Sequence, residues 1–279
     1  MQIDAHQHFW HYDPREFDWI ESDRLRRDFL PQHLEEETAS AGINGVISVQ
    51  ARQTEEETNW LLSLAGRHSF IFGVVGWVPL VADDVQDRLS RLASDPKLRG
   101  VRHVLQSEPD EHYMLRDDFN RGISHLAQLN LRYDILVFER HLPRVIRFVD
   151  KHPRQIFILD HIAKPRIRDD EIEPWATNIR EVARRENVYC KVSGMATEAD
   201  PQRWSAEQLR RYWDVVLEAF GPERLMFGSD WPVCLSHVTY PQWRQIVAHW
   251  TARLSPVERS RMLGLTAIEA YGLDRKEQA

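Results

Sequence analysis

A chain of 279 residues carrying 43 acidic and 36 basic side chains, formal net charge −7, speaks against nucleic-acid binding, which wants a clustered basic face. Hydrophobic residues at 42% and charged residues at 28% describe an ordinary globular chain, and at this length about 75% of the unfolded surface is buried on folding. The longest uncharged apolar-leaning run, residues 71–82, contains Gly73, Gly76 and Pro79 and is too short to span a bilayer. The opening Met1-Gln2-Ile3-Asp4 lacks a basic segment followed by an apolar one, and the two cysteines, Cys190 and Cys234, suit a reduced compartment. The expectation is a cytoplasmic protein with one domain over residues 1–279, a monomer or homodimer, bound neither to membrane nor to nucleic acid.

Short apolar runs alternate with longer amphipathic ones along the whole chain. Strands are predicted over residues 3–8, 45–50, 70–75, 100–104, 131–137, 155–159, 188–192 and 225–228, mostly near-continuous apolar runs of the kind parallel strands show when buried on both faces. Helices are predicted over 34–41, with Gly42 as its stop, then 55–65, 83–93, 119–129, 142–151, 171–185, 206–220 and 242–254. Thr54 followed by Glu57 reads as a capping box for the second of these. The alternation predicts an α/β chain, either a closed (β/α)₈ TIM-like barrel or a doubly wound sheet. The barrel is preferred because polar residues recur at strand C-termini, which a barrel gathers at one mouth. Residues 11–27 form a long irregular connection, read either as a lid over that mouth or as a loop packed on the barrel.

Asp4-Ala5-His6-Gln7-His8 puts Asp4, His6 and His8 on one face of a regular strand. Two imidazoles so spaced can share a metal ion, and the alternative is a pair of satisfied barrel histidines. Arg102, in Val101-Arg102-His103-Val104, needs an anion among apolar neighbours; a substrate oxygen or a barrel carboxylate serves. His103 points to the opposite face unless the strand has ended. Asp134 in the fifth strand is read as a partner of Arg102 or as a substrate contact. Asp160 and His161 follow the sixth strand and cannot both point inward while it stays regular, and Lys164 lies on the next loop. Asp230, in Gly228-Ser229-Asp230-Trp231-Pro232, can accept a proton from water or bind a metal, or it simply initiates a turn. Trp77 and Trp231, two of the ten tryptophans, either stack on a ring-shaped ligand or pack in the core. Taken together the array suits addition of water to a polarised carbonyl, with Asp230 as base and imidazoles or a metal facing the oxyanion.

These same segments, with Leu159-Asp160-His161-Ile162-Ala163-Lys164-Pro165 and Phe227-Gly228-Ser229-Asp230-Trp231-Pro232, resemble the amidohydrolase-2 family of the amidohydrolase superfamily. Within it they are most similar to sugar-lactone hydrolases of the L-fuconolactonase and L-rhamnonolactonase type. The similarity runs from Asp4 to residues 267–273. It implies the distorted (β/α)₈ barrel of that superfamily and a hydrolase opening a sugar-acid lactone, an aldonolactone, to the aldonic acid. It implies Asp230 and His161 as catalytic residues. His6, His8, His161 and Asp230 would hold at most one divalent ion such as Zn²⁺, or none, because the fourth strand offers Arg102 and His103 where two-metal relatives often carry a carboxylated lysine. Gln50, Arg52, Trp77, Arg102, His103 and Lys164 are the substrate-binding candidates. The alternatives carried forward are hydrolysis of an aromatic-derived dicarboxylate lactone, with Arg52, Arg102 and Lys164 as its cationic contacts, decarboxylation on the same barrel, and a non-catalytic sugar-binding barrel.

Overall fold

Eight parallel strands pair in chain order in a computed structural model that describes residues 1–273: β1 (Ile3–Gln7), β2 (Gly45–Val49), β3 (Ile71–Gly76), β4 (Leu98–His103), β5 (Arg132–Ile135), β6 (Phe157–Leu159), β7 (Val188–Val192) and β8 (Leu225–Phe227). A helix follows each strand: α1 (Pro31–Ser40), α2 (Glu55–Arg67), α3 (Val85–Leu92), α4 (Asp117–Ser124), α5 (Leu142–Asp150), α6 (Trp175–Ala183), α7 (Ala206–Phe220) and α8 (Tyr240–Thr251). The short helices α9 (Pro256–Ser260) and α10 (Thr266–Tyr271) end the described chain. This is the expected barrel, every predicted strand and helix being present within a few residues of its expected limits except the helix over 119–129, which ends at Ser124. The β1 and β8 edges meet just beyond β8: the His8 N–H donates to Trp231 O at 2.7 Å and the Asp230 N–H to His6 O at 2.8 Å. The closure therefore seats Asp230 beside the two histidines.

The core divides as strand alternation requires. Val46, Val74, Val101, Tyr133 and Phe157 face outward against helix residues such as Leu61, Leu89, Phe119, Phe148 and Ile179. Ile3, Ala5, Ile47, Val49, Val75, Ile158 and Met226 form an inner cluster that α10 completes with Ala267, Ile268, Ala270 and Tyr271. Each such apolar side chain contributes about 1.5–3 kcal/mol on burial. Because α10 occupies the end where the strands begin, the end where they finish is left for chemistry.

Local signals behave as expected with two exceptions. Gly42, at φ +69°, follows the end of α1, as a left-handed helix stop should. The Thr54 hydroxyl accepts the Glu57 N–H at the start of α2, but no capping box forms. The Glu57 carboxylate instead accepts from the Ala51 and Arg52 N–H groups beyond β2, at 3.1 and 2.8 Å. The predicted helix over 119–129 breaks after Ser124, and Asn130 at φ +56° turns the chain into β5. Residues 11–27 are docked rather than loose: Phe17, Ile20 and Leu25 are buried, and Trp10 Nε1 donates to Arg27 O at 2.9 Å. No described helix is long and apolar enough to cross a membrane. Cys190 and Cys234 are free and buried.

Candidate active site

Three imidazoles converge on one carboxylate oxygen where the strands end. Asp230 Oδ1 lies 3.4 Å from His8 Nε2, 3.8 Å from His6 Nε2 and 3.9 Å from His161 Nε2, and the His6 and His8 Nε2 atoms are 3.2 Å apart. The opposite ring nitrogen of each histidine is held from behind. His8 Nδ1 donates to Val49 O at 2.8 Å; a carbonyl only accepts, so Nδ1 carries a hydrogen and Nε2 faces Asp230. His161 Nδ1 is 2.9 Å from Ser193 Oγ, whose hydroxyl can donate or accept. His6 Nδ1 lies between Lys191 Nζ at 3.1 Å and Asp160 Oδ1 at 3.3 Å.

The backbone reaches this arrangement by leaving regular geometry at two points. The β1–β2 register shifts between Asp4 and Gln7, which breaks the alternation that grouped Asp4 with the histidines. Asp4 instead accepts from the Ser229 N–H at 2.9 Å and from the Tyr240 hydroxyl of α8 at 3.1 Å. Beyond β6, His161, Ile162, Ala163 and Lys164 all take positive φ, between 47° and 61°. This left-handed turn lets Asp160 and His161 both face the barrel interior, against the expectation from a regular strand. Each such non-glycine residue costs roughly 1–2 kcal/mol, and backbone strain of this kind clusters at functional sites. Gly194, at φ +63°, makes room for the turn, since a Cβ there would stand 2.6 Å from His161 Nδ1.

Beneath the imidazoles lies a buried ionic column. Arg102 donates from Nη1 to Asp160 Oδ2 at 2.9 Å and from Nη2 to Gln50 Oε1 at 2.9 Å. Lys191 donates from Nζ to Asp134 Oδ2 at 2.5 Å and lies 2.9 Å from Asp160 Oδ1. Asp134 Oδ2 also accepts from the Tyr271 hydroxyl of α10 at 2.8 Å. Asp134 is thus neither the partner of Arg102 nor a substrate contact: its cation is Lys191, which sequence reasoning missed. The signal was present in Val188-Tyr189-Cys190-Lys191-Val192, a single lysine inside an apolar strand.

Burial dominates the titration of these groups. It lowers His161 to about 4 and takes His6 well below the ordinary histidine range, so both imidazoles are neutral at neutral pH. Burial alone would raise Asp230, but His161, the contact with His8 and then His6 hold it below its usual value. Asp160 is likewise kept ionised against burial, chiefly by Lys191 and His6. Asp134 is raised by burial to about 6, with Lys191 opposing.

A cavity of about 490 Å³ opens above the site, lined by His8, His161, Asp230, Arg52, Arg102 and Lys164 together with Glu16, Asp18 and Trp19. Gln50 stands behind Arg102, and His6 behind His8. His103 and Trp77 do not line the cavity: His103 is 2.6 Å from Glu108 and 3.3 Å from Trp77 Nε1, and stacks on Tyr113 at 5.0 Å. The strand has not ended at residue 103, so His103 keeps the parity that turns it toward the helices. Trp231 is no platform for a ring either, being 2% exposed and set edge-on to Phe29.

The donor set fits a divalent ion. His6, His161 and Asp230 each offer an atom within 4.8 Å of the others, and His8 Nε2 adjoins two of them. Four ligands about 2.1 Å from a tetrahedral ion stand roughly 3.4 Å apart, near the spacings observed. Neutral imidazoles whose far nitrogens are hydrogen-bonded are what such an ion requires.

Strand-end histidines and an aspartate in a (β/α)₈ barrel define an amidohydrolase-type site, and the chain belongs to the amidohydrolase family, whose model matches residues 3–273. It is 41% identical over 292 aligned positions to an L-fucono-1,5-lactonase of Burkholderia multivorans, covering 100% of this chain and 98% of that one. It is 38% identical to an L-fucono-1,5-lactonase of Burkholderia ambifaria, covering 99% and 97%. A crystal structure of a Burkholderia multivorans amidohydrolase with bound Zn superposes with a TM-score of 0.95 at 40% identity, over 98% of this chain and 100% of that one.

Proposed function

We propose that this protein hydrolyses a sugar-acid lactone, opening an aldonolactone of the L-fucono type to the aldonic acid. The observation that carries the reading is the convergence of His6, His8 and His161 on Asp230, in a chain aligned end to end with lactonases.

Charge at the cavity favours a neutral ring over a dicarboxylate. Its lining holds three carboxylates, Glu16, Asp18 and Asp230, and three cations, Arg52, Arg102 and Lys164. Every one of those cations already faces a carboxylate of the chain: Arg52 pairs with Glu16, Arg102 with Asp160, and Lys164 lies 3.7 Å from Glu198. A dicarboxylate lactone or an aromatic acid would meet no uncommitted cation among them.

In this reading Asp230 takes a proton from water through the oxygen not turned to the imidazoles. The water oxygen bonds to the lactone carbonyl carbon, and the carbonyl oxygen takes the negative charge. Collapse breaks the bond to the ring oxygen, which receives the proton back from Asp230. The aldonic acid then ionises, releasing one proton per turnover. His161 can donate to the oxyanion when the Ser193 hydroxyl donates to Nδ1 and leaves the proton on Nε2. His6, His161 and Asp230, with His8 beside them, would hold a divalent ion, which when bound would supply Lewis-acid polarisation of the carbonyl and a more acidic water. In that case the Ser193 oxygen accepts from His161 Nδ1, so one second-layer hydroxyl serves either arrangement.

The test is proton release on a panel of L- and D-aldonolactones and a dicarboxylate lactone, with chelator-treated and Zn²⁺-supplemented protein in parallel. Turnover of one or two aldonolactones with none of the dicarboxylate is expected. Preference for the dicarboxylate would overturn the reading, and the two preparations report the need for metal.

A further inference from the structure

The segment between β1 and α1 carries a side chain that folding does not explain. Trp19 is 45% exposed, and the other large hydrophobic residues exposed among the described ones are Met1 and Val257. It is therefore the one large aromatic among the described residues that is exposed rather than buried or half-buried, and it lines the same cavity as His8, His161 and Asp230. An isolated exposed apolar side chain needs no explanation, but an indole at the rim of a polar reaction cavity differs from one scattered on the surface. The segment holding it is firm. Phe17, on one side, is 2% exposed and lies under the Arg52 guanidinium, 5.8 Å from its centroid; Ile20, on the other, is 3% exposed. The Trp10 ring stands nearly perpendicular to Trp19 at 5.9 Å and the Phe17 ring lies tilted against it at 6.4 Å, so the indole is anchored while nearly half of the residue stays exposed. Glu16, paired with Arg52, and Asp18 lie on the same wall. A sugar ring presents C–H bonds on one face and hydroxyls at its edge. An aromatic face flanked by carboxylate acceptors matches both features.

We propose that Trp19 is the ring-stacking platform of the substrate site, with Asp18 and Glu16 accepting hydroxyl hydrogens, so that this segment selects polyhydroxylated rings. The proposal rests on the sugar-lactone reading. It moves the aromatic contact from Trp77 and Trp231, where the sequence suggested it, to a residue outside the strands. Trp19 is a specificity-determining residue: it holds the ring and takes no part in bond making.

The experiment compares wild type with Trp19→Ala, Trp19→Leu and Trp19→Phe on the best aldonolactone of the panel. Trp19→Ala should raise KM about 10-fold, equivalent to about 1.4 kcal/mol of binding, with kcat within 2-fold by the same scale. Trp19→Phe should stay near wild type and Trp19→Leu should follow Trp19→Ala, because an aromatic face and not mere bulk is required. Independently, the lactone titrated into Asp230→Asn protein should change tryptophan emission, and the change should vanish in Asp230→Asn/Trp19→Phe. An unchanged KM in Trp19→Ala, a Trp19→Leu variant equal to wild type, or an emission change that survives the loss of Trp19 overturns the proposal. Absence of aldonolactone turnover by wild type would instead remove the sugar-lactone reading itself.

Discussion

Lys191→Met removes the one ammonium shared by three buried groups. Lys191 is fully buried, with Nζ 2.5 Å from Asp134, 2.9 Å from Asp160 and 3.1 Å from His6 Nδ1. Methionine fills similar volume, so the loss is electrostatic: Asp134 keeps only the Tyr271 hydroxyl, and Asp160 keeps Arg102. Leaving a buried charge without its partner costs about 3–5 kcal/mol, against a total stability of about 5–15 kcal/mol. At roughly 2–4 °C per kcal/mol for a chain of this class, the thermal midpoint should fall by about 10 °C. Burial already raises Asp134 to about 6 with Lys191 opposing, so loss of the lysine raises it further. A raised carboxyl contributes its stability at low pH and loses it as pH climbs through the folded value. The deficit should therefore be smaller at pH 5 than at pH 8, and Lys191→Met/Asp134→Asn should recover part of it. Urea unfolding followed by circular dichroism measures all three proteins. A single mutant within 1 kcal/mol of wild type at pH 8 would refute the reasoning, since the column would then not depend on its cation.

Other consequences are as direct. The pH profile of kcat/KM should be flat from pH 6 to 8, with its acid limb near 4, because burial lowers His161 to about 4 and Asp230 stays ionised above its depressed value; a limb centred between 6 and 7 would contradict the burial argument. Gly194→Ala adds a Cβ 2.6 Å from His161 Nδ1 at a residue with φ +63°, and it should cost about 1–3 kcal/mol in strain and at least 10-fold in kcat. Wild-type stability and activity in that variant would show that the left-handed turn relaxes freely. Glu57 is raised by burial to about 7, with the Arg52 and Ala51 N–H groups opposing. Its contribution is present below about 4.5 and is lost as pH rises toward 7, so wild type should lose stability relative to Glu57→Gln between pH 5 and pH 8; a constant difference between the two would sink the assignment.

The barrel was legible because its strands are apolar runs and its helices carry their own stops and caps, as Gly42 and Thr54 illustrate. His6, His8, His161 and Asp230 were legible because polar residues that end buried strands have few other reasons to be there. What escaped depends on departures from regular geometry or on contacts distant in sequence. Asp4 was grouped with the histidines because a register shift after it leaves no mark in residue type. Asp160 and His161 face inward together through a left-handed turn built without glycine or asparagine, the usual markers of such a conformation. Lys191 is explained only by Asp134 on β5 and Asp160 just beyond β6, both distant from it in sequence. His103 and Trp77 stand near strand ends, but strand parity turns His103 to the helices and Trp77, just past the end of β3, turns to meet it there. Trp19 lies where no periodicity exists to read.

One measurement bears on the whole proposal: proton release from L-fucono-1,5-lactone and its stereoisomers, wild type beside Asp230→Asn, each with and without Zn²⁺. Wild-type turnover well above the spontaneous rate is expected, with a loss of about 10³-fold or more in a stably folded Asp230→Asn. Turnover that survives Asp230→Asn would contradict the role given to that carboxylate, and a wild type that leaves every aldonolactone at its spontaneous rate would contradict the function.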